Sequence, residues 1–576
     1  MSFGIHANDS ARTGLLGFGV ERIDPARDER YYVNGFKVFG SIIPQPDQNT
    51  YVSTYAHPVQ SLVWDDFTAE PAHDYTYVFH PLAGTPKNLD RSRKTVSIDV
   101  RTEPLYGEAH DVFFNRGVAS SQAYAREFGN LSPSDQPSHG KRRMALQWLS
   151  RDLDEAMIAF IKSARSGDAI RGCFYEFGYA PVLAELAAAV TRGVDVRLVV
   201  DCKVNQHTVN EKQPDGTVKP VFHESSPRLK NLAAIAEAGL PAAAVLRREA
   251  RRSAIAHNKF MVLLTGNPRT PEQVWTGSTN LTEGGIHGQA NVGHWIRDAA
   301  TAARFVDYWE LLAADPGGRH GDSQSVVRAR NSELYASVDS MTPTPAPDAI
   351  PPGITPLFSP RSGSLPLELY VSLLDDAKDL ACITFAFTVP DVFKAALAGN
   401  TSSGPLCFLL LEKRDRPAAN STKPFVRLDA DNNVYMASGS ELRTTLGQWI
   451  VETDTRTLGL NRHVAFIHCK FLLHDPLGAD PIVVTGSANF SKASTNDNDE
   501  NMVIVRGNRR VADIYFTEFN RLFNHYYFRS IAERSSPADT LRALQLTEDD
   551  SWLQKYQPGT LRSKRVACFT GMAIDD

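Results

Sequence analysis

Between residues 143 and 165, apolar side chains fall at Leu146, Leu149, Leu153, Met157 and Ile161, the spacing of one helix face, which predicts a helix there. The apolar run Ala169–Phe177 predicts a strand, followed by a helix from about Pro181 to Thr191 and a second strand at 194–203. The same order returns as a helix at 365–378, a strand at 381–387, a short helix from Asp391 and a strand at 404–413. A shift of 210 residues superposes the two series, which indicates an internal duplication. Strands alternating with helices predict an α/β fold of two duplicated units, with mixed, mainly parallel sheets.

Residues 1–135 have another texture. Short β-rich runs, Tyr31–Phe39, Tyr51–Trp64, Tyr75–Phe79 and Val96–Arg101, are punctuated by Pro, Gly and Asp and predict a β-rich N-terminal domain. The proline-dense stretch from Ser340 to Pro356 can continue neither a helix nor a central strand and predicts an extended linker. The chain thus divides into a β-rich domain at 1–135, a first unit at 136–339, the linker at 340–356, and a second unit with a C-terminal tail at 357–576.

Composition narrows the function classes. A chain of 576 residues with 22% charged and 42% hydrophobic positions is an ordinary globular composition with room for several cores. The net charge of −5 leans away from a protein that lives on nucleic-acid phosphates. The six cysteines, Cys173, Cys202, Cys382, Cys407, Cys469 and Cys568, form no CxxC pair, and four sit in apolar runs, which favours a reducing compartment. The N-terminus lacks a basic segment followed by an apolar core, and no apolar run reaches the roughly 20 residues that span a bilayer. A cytoplasmic location is the expectation.

The chemistry lies in strings that occur twice. The first unit carries IAHNKFMVLL and then VWTGSTNLTEGG; the second carries FIHCKFLLHD and then VVTGSANFSKAS. His257 and Lys259, like His468 and Lys470, stand two apart on a strand and project from one face. Ser278 with Asn280, and Ser487 with Asn489, repeat that spacing after a glycine, read as allowing a close backbone approach to a bound group. Lysine charge, neutral Ser and Asn donors and a histidine that attacks or shuttles protons near neutral pH make a phosphate site. Two such copies face to face place a histidine on each side of one phosphorus, as in-line displacement requires. One His-x-Lys strand alone is an amphipathic edge strand; two, each followed by Gly-Ser-x-Asn, are a signal.

At these residues the sequence resembles the phospholipase D superfamily, whose motif is His-x-Lys, four residues, Asp, then Gly-Ser-x-Asn. The resemblance covers roughly residues 140–535. The second copy matches fully, with Asp475 as the supporting aspartate; the first has Leu264 at that position. The resemblance implies metal-independent chemistry with no cofactor, His257 as the nucleophile that forms a phosphohistidine, and His468 as acid and base. It also implies a carboxylate after each Gly-Ser-x-Asn that orients the histidine of its own half. Glu500 fits for the second half, whereas the first offers the neutral Gln289 or Asn291. A histidine without a carboxylate is the freer nucleophile, which agrees with His257.

Other features are less specific. Glu176 ends the strand CFYEF where the second copy has Ala386, and is read as a polar substrate contact or a strand-end charge. His287, His294, His463 and His474 lack a metal-ligand spacing, and no metal is expected. Cys469 points away from His468 and is expected in the core. The stretch Arg247–Arg252, with four arginines, reads equally as a grip for phosphates and as a solvated loop. The substrate expected is a phosphodiester, a phospholipid ahead of DNA or RNA, with peripheral rather than integral membrane contact; a non-catalytic binding module ranks third. Since both half-sites lie in one chain, a monomer suffices for the chemistry.

Overall fold

The computed structural model describes all residues except 48–49, 118–121, 214–216, 225, 251–253, 418–423, 440–465, 533–536 and 573–576. The duplication appears as two seven-stranded sheets of one plan. In the first, β1 (His110–Phe114), β2 (Ala169–Phe174), β3 (Asp195–Asp201), β4 (Val245–Arg248), β5 (Lys259–Thr265), β6 (Thr270–Gly277) and β7 (Val292–Ile296) lie in the order β1-β7-β6-β5-β2-β3-β4. In the second, β8 (Gly353–Ser359), β9 (Leu380–Phe385), β10 (Leu406–Leu411), β11 (Val434–Ser438), β12 (Phe471–His474), β13 (Ile482–Gly486) and β14 (Glu500–Arg506) lie in the order β8-β14-β13-β12-β9-β10-β11.

The sheets are mixed, but the expected predominance of parallel pairing is corrected. Only β2–β3, β3–β4, β9–β10 and β10–β11 are parallel. The remaining pairs in both sheets are antiparallel. A parallel pair needs a long crossover, which the helices Ala180–Thr191, Arg228–Glu237 and Asp391–Leu397 provide. The His-x-Lys strands are followed by short reversals, and reversals make antiparallel neighbours. The registers also correct the shift: Ala169 pairs with Asp195 and Leu380 with Leu406, so equivalent positions lie 211 apart rather than 210.

Each sheet is covered on both faces. The helices Leu153–Ser163 and Ala180–Thr191 bury Met157, Phe160, Leu183 and Leu186 on one face of the first sheet, while Ala299–Ala313 buries Phe305, Tyr308 and Trp309 on the other. Tyr308 stacks on Phe358 of β8, with ring centroids 4.3 Å apart. In the second unit, Tyr515 and Phe519 of the long helix Arg509–Ala532 pack in a core that includes Phe114 of β1. One helix of each unit, Ala299–Ala313 and Arg509–Ala532, thus also reaches the edge strand of the other unit. The single helix predicted at 143–165 is two, His139–Ser150 and Leu153–Ser163. Arg151 and Asp152 between them have φ of 47° and 68°, outside the helical region, and Arg151 reaches Glu518 of the other unit at 3.0 Å.

The N-terminal region is β-rich, with an antiparallel sheet of Val96–Arg101, Asp74–Thr85, Gly17–Asp24 and Glu29–Tyr32. Three boundaries differ from the sequence reading. Strand β1, placed in the N-terminal domain, is the edge of the first sheet, and β8 begins inside the predicted linker. The C-terminal tail, assigned to the second unit, packs on the N-terminal sheet: Trp552, Tyr556 and Val566 share its core, and the Trp552 indole donates to Leu15 O at 2.7 Å. Those apolar side chains cover a sheet face that the N-terminal residues alone leave open. Among the described residues no helix is long and apolar enough to cross a membrane.

Candidate active site

The two His-x-Lys segments enter β5 and β12 from the same end and interlock across a pseudo-twofold axis. Ala290 of the first unit donates to Phe466 O at 2.7 Å and accepts from Cys469 N at 2.8 Å; on the other side Asp499 donates to Ile255 O at 3.0 Å. This brings His257, Lys259, His468 and Lys470 into one buried pocket. Their charges interact: each histidine lies in the field of both lysines.

Each histidine is oriented by the opposite unit. Glu500 of the second unit accepts from His257 Nδ1, both carboxylate oxygens lying at 2.9 Å, and is itself held by the Ser487 hydroxyl at 2.7 Å. Asn291 of the first unit faces His468, its Oδ1 2.9 Å from Nδ1, and takes the Ser278 hydroxyl at 2.8 Å. The Asn291 amide donates to Gly285 O at 2.8 Å, which turns its oxygen toward the histidine. Both rings therefore keep the proton on Nδ1 and present Nε2 to the pocket.

This geometry revises the sequence reading at three points. Glu500 orients His257 and not the histidine of its own half, so the argument that His257 lacks a carboxylate is overturned. The hydroxyls of Ser278 and Ser487 donate to Asn291 and Glu500 instead of standing ready for a phosphate. The glycine before each serine admits the neighbouring strand: a Cβ on Gly277 would stand 2.2 Å from Val292 O, and one on Gly486 2.2 Å from Asn501 O. The sequence showed the residue types but not the strand crossing that sets their partners.

Electrostatics follow from burial. Burial, reinforced by Lys259 and Lys470, holds the His257 imidazole well below its ordinary range, and burial with the same lysines does so for His468. Burial lowers Lys259 from 10.5 to about 8. Burial raises the Glu500 carboxyl to about 8, against the pull of Lys259. The Lys259 ammonium donates to His257 O at 2.6 Å, and Lys470 makes the same bond to His468 O. These values set the sign of a pH dependence. Ionised Glu500 gains population, and charged Lys259 loses it, as pH rises through about 8, so kcat/KM on a phosphodiester is expected to be bell-shaped and centred there. A profile that stays flat to about pH 10 contradicts this assignment.

The family model described as "Cardiolipin synthase, PLD-like domain" matches the chain twice, at residues 157–312 and 370–523, together more than half its length. The chain belongs to this phospholipase D-like family. Its fold is similar to phosphatidylserine synthase of Haemophilus influenzae Rd KW20, at 12% identity over 73% of this chain and 93% of that one, TM-score 0.43. It is also similar to Nuc, a phospholipase D family member of Salmonella typhimurium, at 25% identity over 27% of this chain and 84% of that one, TM-score 0.19. A third similarity, to polyphosphate kinase of Porphyromonas gingivalis, has 11% identity and TM-score 0.35, covers 62% of this chain and spans only 46% of the kinase. No functionally curated protein matches the chain.

In this phospholipase D-like chain the motif aspartate stands away from the pocket. Asp475 accepts the backbone N–H groups of Lys378, Asp379 and Leu380 at 2.9–3.1 Å and fastens the turn into β9. At the equivalent first-unit position Leu264 is buried in an apolar cluster with Phe260 and Val274, so its loss of charge leaves the site intact. Asp475→Ala is expected to cost about 2 kcal/mol of stability, with kcat per folded molecule within about twofold of wild type. A denaturant melt and an activity assay at low temperature check both halves of that statement.

The remaining candidates sort clearly. Glu176 accepts a hydrogen bond from the Asn280 amide and stands in the field of Lys259, so it belongs to the pocket. The Oδ1 atoms of Asn280 and Asn489 have no hydrogen-bond partner among the described residues. His287 is buried against Tyr179 at 3.2 Å, and His294 against His110 at 2.9 Å; His474 donates to Leu373 O. His463 lies outside the described residues. Among the described residues no cluster of His, Cys, Asp and Glu fits a metal ion. Cys469 is in the core, and all six cysteines are free. Arg248 is no phosphate grip: it is buried between Asp499, at 2.8 Å, and Asp315, at 2.8 Å, while Arg251 and Arg252 lie outside the described residues.

Three contributors were not read from the sequence. Tyr175 places its ring 5.1 Å from that of His257. The Arg248–Asp499 pair ties the approach to His257 to the residue beside Glu500. Asn501 donates to Asn258 Oδ1 at 2.8 Å across the axis. The available signal was a polar residue at the start of an apolar strand: Asn258 immediately precedes β5, and Asn501 is the second residue of β14.

Proposed function

We propose that this phospholipase D-like protein is a metal-independent phosphodiesterase that acts on phospholipids through a phosphohistidine, by hydrolysis or by transfer of the phosphatidyl group to an alcohol. The observation that supports this reading is the pair of buried histidines, each tethered at Nδ1 and free at Nε2, with Lys259 and Lys470 beside them. The lysines, with Asn280 and Asn489, would hold the phosphate oxygens.

His257 is the nucleophile for a reason other than the one the sequence suggested. Its Nε2 lone pair attacks phosphorus, and the imidazole acquires positive charge as the P–N bond forms. Ionised Glu500 on Nδ1 stabilises that charge. The anionic phosphodiester bound between the two rings favours a second proton, on His468 Nε2, taken up with the substrate. Because His468 meets only a neutral amide, that imidazolium is the stronger acid. It gives its Nε2 proton to the leaving alkoxide as the P–O bond breaks. It then takes a proton from water, or from an acceptor alcohol, as that oxygen attacks phosphorus and the P–N bond breaks. Both histidines return to their starting states.

The test is one substrate panel run with EDTA present, in a cytoplasmic buffer and on phospholipid vesicles. Release of a free headgroup, and phosphatidyl transfer to ethanol, are expected. Degradation of DNA or RNA with phospholipid untouched would replace this reading by a nuclease. Activity abolished by EDTA would remove the metal-independent mechanism.

A further inference from the structure

Strands β5 and β12 begin at Lys259 and Phe471, so each stops short of the histidine in front of it. A carboxylate from two strands away reaches the backbone there. Asp201 closes β3 and Glu412 follows β10; the two are 211 residues apart, as His257 and His468 are. Both are buried. Asp201 Oδ2 accepts from Ala256 N at 3.1 Å. Glu412 Oε2 accepts from Ile467 N at 2.8 Å and from Phe466 N at 3.1 Å. Ala256 and Ile467 are the residues immediately before the two histidines.

The same bond is thus made in both units, by side chains that differ in length by one methylene. Each anchor is itself fixed. Asn231 donates to Asp201 O at 2.9 Å and to Tyr175 O at 2.8 Å, and Glu412 N donates to Phe385 O at 2.9 Å. In the first unit Lys203 adds a second grip, its ammonium donating to Ala254 O. A buried N–H without an acceptor costs about as much as a lost hydrogen bond, so each segment is held where its carboxylate lies. Glu500 and Asn291, from the opposite unit, set which ring nitrogen carries the proton. The carboxylate of a histidine's own unit sets where the ring stands.

We infer that Asp201 and Glu412 are positioning residues for the two histidines: Asp201 sets the reach of His257 to phosphorus, and Glu412 sets the reach of His468 to the attacking water. This rests on the phosphodiesterase reading above. A displacement of about 1 Å in a reacting group costs about 10²-fold in rate.

The test follows single turnovers of bis(p-nitrophenyl) phosphate with the full-length protein in excess. Release of nitrophenolate reports attack by His257, as the P–N bond forms and the P–O bond breaks. The later appearance of p-nitrophenyl phosphate reports attack by water with His468 as base, as the P–N bond breaks. In E412A the first step is expected within about twofold of wild type and the second about 10²-fold slower. In D201A the first step is expected to slow about 10²-fold, with half-saturation unchanged to about twofold. D201N and E412Q keep an oxygen for the same N–H groups and are expected within about fivefold of wild type.

Both steps slowed equally in E412A, an unslowed first step in D201A, or amide variants as impaired as the alanine variants overturn the inference alone. Should an alanine variant fail to fold, E412D and D201E keep the charge and move the oxygen by one methylene. They are read by the same rule, with an expected loss of about tenfold in the affected step. A wild type that releases neither product overturns this inference together with the phosphodiesterase reading.

Discussion

His257→Ala is expected to lower kcat by about 10⁴-fold or more on any phosphodiester, with no covalent phospho-enzyme at any pH. Among the described residues this ring alone combines a free Nε2 with a carboxylate at Nδ1. Its removal takes away the attacking lone pair and leaves Glu500 with the Ser487 hydroxyl as a hydrogen-bond partner. The fold should persist, because the two units are joined by the Ala290, Phe466 and Cys469 backbone bonds and by the Arg248–Asp499 pair. A melting curve close to wild type, beside an absent burst of product, separates lost chemistry from lost structure.

His468→Ala is expected to behave differently, and the difference carries the assignment of roles. On a lipid with an alkoxide leaving group the loss should match that of His257→Ala, about 10⁴-fold, since nothing protonates the departing oxygen. On a nitrophenyl diester, whose leaving group departs without a proton, the first step should survive. One equivalent of nitrophenolate is then released in a burst, and the phospho-enzyme accumulates because no base activates water. A His468→Ala protein that gives no burst on the nitrophenyl diester, beside a His257→Ala protein that gives one, means that the roles are exchanged.

The duplicated plan was legible because α/β order and the His-x-Lys and Gly-Ser-x-Asn strings are local in sequence. Strands such as Ala169–Phe174 and Leu406–Leu411 announce themselves by apolar content alone. The pairing direction was not legible in the same way: β5 and β12 are apolar on both faces, and a buried strand reads alike whether its neighbours run parallel or antiparallel. The crossing of Glu500 to His257 was hidden for a related reason. A carboxylate eleven residues after Asn489 can serve either half, and only the backbone bonds from Asp499 to Ile255 and from Ala290 to Phe466 decide which. Edge strands were misplaced because β1 and β8 lie outside the repeated strings. The tail joined the N-terminal sheet through Trp552 and Tyr556, which carry no periodic signal of their own.

The proposed active site takes its nucleophile from the first unit and both that nucleophile's carboxylate and the acid from the second. It is tested most directly by mapping the covalent intermediate. Wild-type enzyme and the His468→Ala variant would be mixed with substrate, quenched in alkali to preserve phosphohistidine, digested and sequenced by mass spectrometry. Phosphate, or the phosphatidyl group, on the peptide that contains His257 is the expected result. The adduct on the peptide that contains His468, or full turnover with no adduct on either histidine, would contradict it.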